Sequence, residues 1–158
     1  DRFMFRAIVG LPNHIEEVEI LQKAHEGAQL EDVETVIPPH QISEAKLVVK
    51  KVYTSKDIME YIVSLVEATR EDKGTVVVGG SPRASVHLLN ASKCHAALSG
   101  RDYLIPDDVK NLVLHILNHR ILLSPEYVLK FNPINAPFNY DGLQSFIQKV
   151  LMRVEPPR

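Results

Sequence analysis

Apolar residues recur along most of this chain at helical spacing, and the runs are separated by proline, glycine and capping residues. Ile58, Tyr61, Ile62, Leu65, Val66 and Thr69 form one continuous stripe. They predict a helix capped by Thr54 or Ser55 and ended by "REDKG". Val109, Leu112, Val113, Ile116 and Leu117 form a second stripe behind Pro106-Asp107-Asp108, with Arg120 one turn further along it. Acids in that first turn suit the positive end of a helix. Ile15, Val18 and Leu21 predict a third helix, opened by Pro12-Asn13, carrying Glu16 and Glu17 early and stopped by Gly27. Leu47, Val48 and Val52 make a shorter stripe behind Ser43 and Glu44. Residues 81–99, closed by Gly100, and Tyr140 to about Arg153 complete about six helices.

The remaining stretches have other patterns. Arg2 to Leu11 is rich in Phe, Ile and Val and predicts a strand, which has no obvious partner in the chain. Residues 28–42, with "VIPPHQ", and 124–138, with Pro125, Pro133 and Pro137, predict connections. The expectation is a mainly α protein: a helical bundle over 13–158, preceded by one orphan β-strand within 1–12.

Composition narrows the function classes. The 158 residues are 45% hydrophobic and 24% charged, enough for one domain with a real core. A net charge of −2 gives no bulk attraction to nucleic acid. Cys94 is the only cysteine, so an internal disulfide is excluded and a reducing, cytoplasmic setting is expected. No apolar run reaches the length of a membrane span. The start "DRFMFRAIVG" has neither a signal-peptide pattern nor an initiator Met, so a fragment or processed chain is expected. There is no G-x-x-x-x-G-K-[ST], G-x-G-x-x-G, H-E-x-x-H or G-x-S-x-G.

Candidate chemistry concentrates in "VVVGGSPRAS". Ser81 can cap a helix and Pro82 suits its first position, so Arg83 falls in the first turn, where a cation is disfavoured. No Asp or Glu occurs between Thr75 and Gly100. Two readings fit. Gly79-Gly80 could be a plain turn, with Arg83 on the surface or paired with a distant acid. Alternatively Gly80, Ser81, Pro82 and Arg83 form an anion site, in which free N–H groups and a guanidinium bind phosphate. The histidines are weaker candidates. His115 and His119 lie one turn apart, and His87, Cys94 and His95 share a face. That face also carries Ala84, Leu88, Ala91 and Leu98 and reads as core packing with polar edges, so no metal site is expected.

The run "GGSPRASVHLLNASKCHAALSGRDYLIPDDVKNLVLHILNHRILLSPE" resembles the C-terminal lid of MoxR-type AAA+ ATPases. "DRFMFRAIVGLPNHIEEVEIL" is similar to the end of that family's nucleotide-binding core, and "VYTSKDIMEYIVSLVEATRE" fits its lid. The resemblance implies an AAA+ lid following the last core strand, with the Walker A lysine and Walker B acids upstream of Asp1. It implies that Arg83 is the sensor-2 arginine, facing the γ-phosphate. It implies that Arg2 is an arginine finger reaching a neighbouring subunit's nucleotide. ATP and Mg2+ would belong to the full-length ring, a hexamer. Other copies of the ATPase would be its partners, often beside a von Willebrand A domain protein and the complexes that such chaperones mature. This chain alone should not hydrolyse ATP. A different class also fits the residues, a stand-alone helical interaction or DNA-binding module. Against DNA, the helix opening at Pro106 carries one basic residue, Lys110, before its histidines.

Overall fold

The structure is a computed structural model describing residues 2–27, 34–131 and 140–157. Its elements are α1 (His14–His25), α2 (Pro39–Lys51), α3 (Lys56–Glu71), β1 (Val76–Val78), α4 (Pro82–Leu98), α5 (Pro106–Leu117), β2 (Leu122–Leu123), α6 (Pro125–Phe131) and α7 (Tyr140–Arg153). They fall into two compact units, residues 7–45 in one and residues 1–6 with 46–158 in the other.

The larger unit is a helical bundle built on the stripes read from the sequence. Leu65 and Val66 of α3, Leu88 of α4, and Val109, Val113, Ile116 and Leu117 of α5 are completely buried. Phe146, Ile147 and Val150 of α7 close the same core. Each such side chain contributes roughly 1.5–3 kcal/mol on leaving water. Leu112 is only half-buried, at the rim of this core. Leu98, expected on the packed face of α4, is 90% exposed.

Caps set the helix ends. The Ser55 hydroxyl accepts the Ile58 N–H at 3.3 Å, opening α3. Ser81 occupies the N-cap position of α4 and Pro82 its first turn, but the Ser81 hydroxyl makes no capping bond, contrary to expectation. At the other end of α4, Gly100 adopts φ 74°, and Gly100 N–H and Arg101 N–H donate to the carbonyls of Ala97 and Ala96 at 3.0 and 2.9 Å. That is a Schellman closure, which needs a residue tolerant of left-handed backbone. α5 opens with Asp108, whose Oδ2 accepts the Ile105 N–H at 3.0 Å.

Three expectations are corrected. First, Arg2 to Leu11 form no β-ladder: a strand needs a hydrogen-bonded neighbour, and the described residues supply none. The pairing that does form is β1 with β2, antiparallel, aligning Val76 with Leu123 and Val78 with Leu122. Second, residues 125–131 are helical rather than loop, because Pro125 stands in a first helical turn instead of breaking one. The Ser124 hydroxyl accepts the Tyr127 N–H at 3.3 Å. Third, α2 begins at Pro39 rather than Ser43, again with proline leading. The mainly α bundle stands, with seven helices among the described residues. Of the connections expected over 28–42 and 124–138, the stretches 28–33 and 132–138, with Pro133 and Pro137, lie outside the described residues.

The smaller unit holds α1 and the start of α2. Asn13 and Glu16 form a reciprocal capping box: Asn13 Oδ1 accepts from Glu16 N–H at 3.0 Å, and Glu16 Oε2 from Asn13 N–H at 2.8 Å. The expected stripe is present but uncovered, with Ile15 71% and Leu21 66% exposed and no buried residue in α1.

Candidate functional site

Arg83 lies in the first turn of α4, exposed, with no acid in that turn. One turn on, His87 points to the chain following α5. There Arg120 is buried, and its guanidinium makes three contacts. Its Nε donates to the Ile116 carbonyl at 2.8 Å, and its Nη2 donates to the Phe3 carbonyl and to His87 Nδ1, the latter at 2.7 Å. His119 Nε2 donates to the same Phe3 carbonyl at 3.1 Å. Asn118 Nδ2 donates to the Arg6 carbonyl at 2.9 Å, and Arg6 N–H donates to the His115 carbonyl at 3.3 Å. Residues 3–6 are thus held by their main chain, and Met4 packs on the core. Arg2, adjoining this anchored segment, is exposed.

Several cations act on this cluster together. Burial, then the charges of Arg120, Arg83 and His119, push the His87 pKa down. The imidazole is therefore neutral near pH 7, which suits Nδ1 as acceptor for Arg120. Burial also lowers His119, with Arg120 and Arg6 adding to it against the pull of the Phe3 carbonyl. Burial and the neighbouring Arg83 lower Arg120 itself. Arg83, Arg120 and Arg6 thus act on these three groups with the same sign. Such a cluster at the positive end of a helix is chemically matched to an anion, phosphate in particular.

The glycines beside it have a packing reason. A Cβ at Gly79 would come within 2.6 Å of the Thr69 carbonyl oxygen, and one at Gly80 within 3.0 Å of Val66 Cγ1. Gly80 N–H donates to Thr69 Oγ1 at 2.9 Å, and its carbonyl accepts from Arg70 Nε at 2.5 Å. The close approach that Gly79-Gly80 permits is therefore to the end of α3, and it fixes where α4 begins.

The remaining histidines separate. His115 is exposed. His95 Nδ1 lies 2.7 Å from Asp108 Oδ1, while Cys94 is exposed. Asp108 also takes a two-pronged contact from Arg101, 2.7 and 2.5 Å long. Burial pushes this carboxyl up, but hydrogen bonds from Arg101, the Ile105 N–H and His95 outweigh it and bring it down to about 2. It is a structural tie between α4 and α5. Among the described residues no three His, Cys, Asp or Glu side chains gather to hold a metal ion.

Sequence reasoning singled out Arg83 but missed Arg120, His87 and Phe3 as its surroundings. The available signal was Arg120 itself, a cation on an otherwise apolar stripe. The Phe3 carbonyl leaves no mark in a side-chain pattern.

Comparison with known proteins agrees with this architecture. Residues 68–131 match the AAA lid domain family. YeaC of Bacillus subtilis, itself uncharacterized, is 34% identical over 99% of this chain and 46% of its own length. Chaperone MoxR1 of Mycobacterium tuberculosis is 30% identical over 78% of this chain and 34% of its own length. A crystal structure from Cytophaga hutchinsonii superposes with a TM-score of 0.78 at 24% identity, covering 99% of this chain and 47% of that one. The chain spans less than half the length of these relatives. Fold and matched sequence define the class, a helical lid of the AAA+ ATPases. Within that class the chain is a MoxR-type C-terminal lid region.

Proposed function

We propose that this chain is the nucleotide-sensing lid of a full-length MoxR-type ATPase that works as a hexameric ring in the cytoplasm. In this reading Arg83 contacts the γ-phosphate of bound ATP, with Ser81 and Pro82 shaping the helix start and Gly80 holding it against α3. Arg2 is the finger that reaches a neighbouring subunit's nucleotide. The observation that carries the proposal is a pair of neighbouring cations: Arg83 heads α4 without an acid in the turn, and the buried guanidinium of Arg120 lies close enough to be disfavoured by it. ATP would supply the transferable phosphoryl group, and this chain's part is to bind and orient its charge. Arginine contacts of this kind are charge-assisted and strengthen as charge develops on the phosphoryl oxygens. The charge of Arg83 suits a phosphate, and among the described residues no three His, Cys, Asp or Glu side chains gather to hold Mg2+. The name of Chaperone MoxR1 supports a chaperone-like role; maturation of protein complexes, with a von Willebrand A domain protein as a candidate partner, rests on the family resemblance of the sequence alone. The test is ATP turnover by the full-length protein carrying Arg83→Ala. A fall of at least about tenfold is expected, on the scale of lost transition-state contacts. Unchanged turnover would remove the sensing role.

The DNA-binding alternative finds no support in α5. Its one lysine, Lys110, is bonded to Asp107 at 2.9 Å.

A further inference from the structure

Arg120 is expensive where it stands. It is buried, its charge is disfavoured by burial and by Arg83, and an apolar side chain would fill the site at lower desolvation cost. What the guanidinium does there is join two parts of the molecule. One Nη2 group serves both the Phe3 carbonyl and His87 Nδ1, while Nε anchors the side chain on the Ile116 carbonyl. Phe3 adjoins Arg2. His87 lies four residues from Arg83, on the same face of α4. The segment that carries Arg2 and the helix that carries Arg83 therefore meet on a single side chain.

We propose that Arg120 is a positioning residue for ATP hydrolysis: it locks the main chain at Phe3, and so the placement of Arg2, to the helix that bears Arg83. This rests on the reading of Arg2 and Arg83 given above. Arg120 touches no phosphate in this account and acts only through the segment it holds. Asn118, on the Arg6 carbonyl, supports the same segment without a charge.

The experiment is a double-variant cycle in the full-length protein, measuring kcat and KM for ATP. Arg120→Met is expected to lower kcat by at least about tenfold with KM changed by less than about threefold, the pattern of a contact that matters in the transition state. In an Arg2→Ala background the same change should cost less than about twofold more, because residues acting as a unit are not additive. Arg120→Lys should stay slow, since lysine has no Nε donor to anchor the side chain on the Ile116 carbonyl while a second nitrogen reaches Phe3 and His87. Should Arg120→Met fail to fold, Asn118→Ala carries the cycle, with a smaller loss that likewise disappears in the Arg2→Ala background. Losses that multiply in the double variant, or full rate in Arg120→Lys, overturn the positioning role while leaving the finger in place. Unchanged turnover in Arg2→Ala overturns the finger reading and the positioning role with it.

Discussion

Asp108 shows how a single carboxylate can hold two helices together. Its side chain is 1% exposed, yet it stays ionised because Arg101, His95 and the Ile105 N–H all point at it. Asp108→Asn should cost about 3 kcal/mol, since Arg101 loses its buried partner, and urea melts would measure it. The pH dependence follows from the direction of the shift. The folded carboxyl titrates at about 2 against an ordinary value of 3.8. Its contribution is therefore fully present above about pH 4 and lost as pH falls toward 2, a change of roughly 2 kcal/mol. The gap between wild type and Asp108→Asn should narrow across that window; a constant gap would mean the carboxylate is not the tie. At this scale the sequence was legible in part. Asp108 could be read as a helix-start acid because acids favour that end, and the structure puts it there. Its partners Arg101 and His95 come from a preceding helix and turn, and no local pattern marks that meeting. Arg83 was legible for the opposite reason, as a charge that breaks the local rule.

The helices carry most of what periodicity could reveal. α3 and α5 follow their stripes, and Leu117→Ala should cost about 2–5 kcal/mol by lost burial plus a cavity. Leu112→Ala should cost less, because Leu112 sits at the rim of the core. Equal losses at the two positions would contradict the depth assigned to the stripe. The start of α4 depends on close backbone approach rather than on periodicity. Gly79→Ala forces a methyl to 2.6 Å from the Thr69 carbonyl, whereas the nearest atom to one at Gly74 is 3.8 Å away. Gly79→Ala should therefore lower stability by about 1–3 kcal/mol and Gly74→Ala by little, in paired thermal melts. α6 and the β1–β2 pairing escaped the sequence reading because they are two to seven residues long. A window that short holds less than two helical turns, and the prolines that lead α2 and α6 look the same as prolines in loops.

At the scale of the whole molecule, the two units differ in what they bury. α1 has a complete capping box and no buried residue, while α4 and α5 share a core. Amide exchange should therefore be fast across α1 and slow across α5, because protection follows buried contacts rather than caps. Similar protection in both would contradict the exposure of Ile15 and Leu21. The same contrast explains why the α1 stripe misled: amphipathic spacing records which face is apolar, not whether anything covers it. The fold class was legible because the longest stripes are the buried ones. The anchoring of residues 3–6 was not, because it runs through main-chain carbonyls. The central claim is that Arg83 serves a bound phosphate rather than the fold, and one substitution read two ways tests it. Arg83→Ala should leave the melting temperature of this chain nearly unchanged, since Arg83 is exposed, and both a surface contact and a cation at the positive end of a helix are worth at most about 1 kcal/mol. In the full-length protein the same change should reduce ATP turnover by at least about tenfold. A destabilised chain with normal turnover would contradict the account and make Arg83 a structural residue.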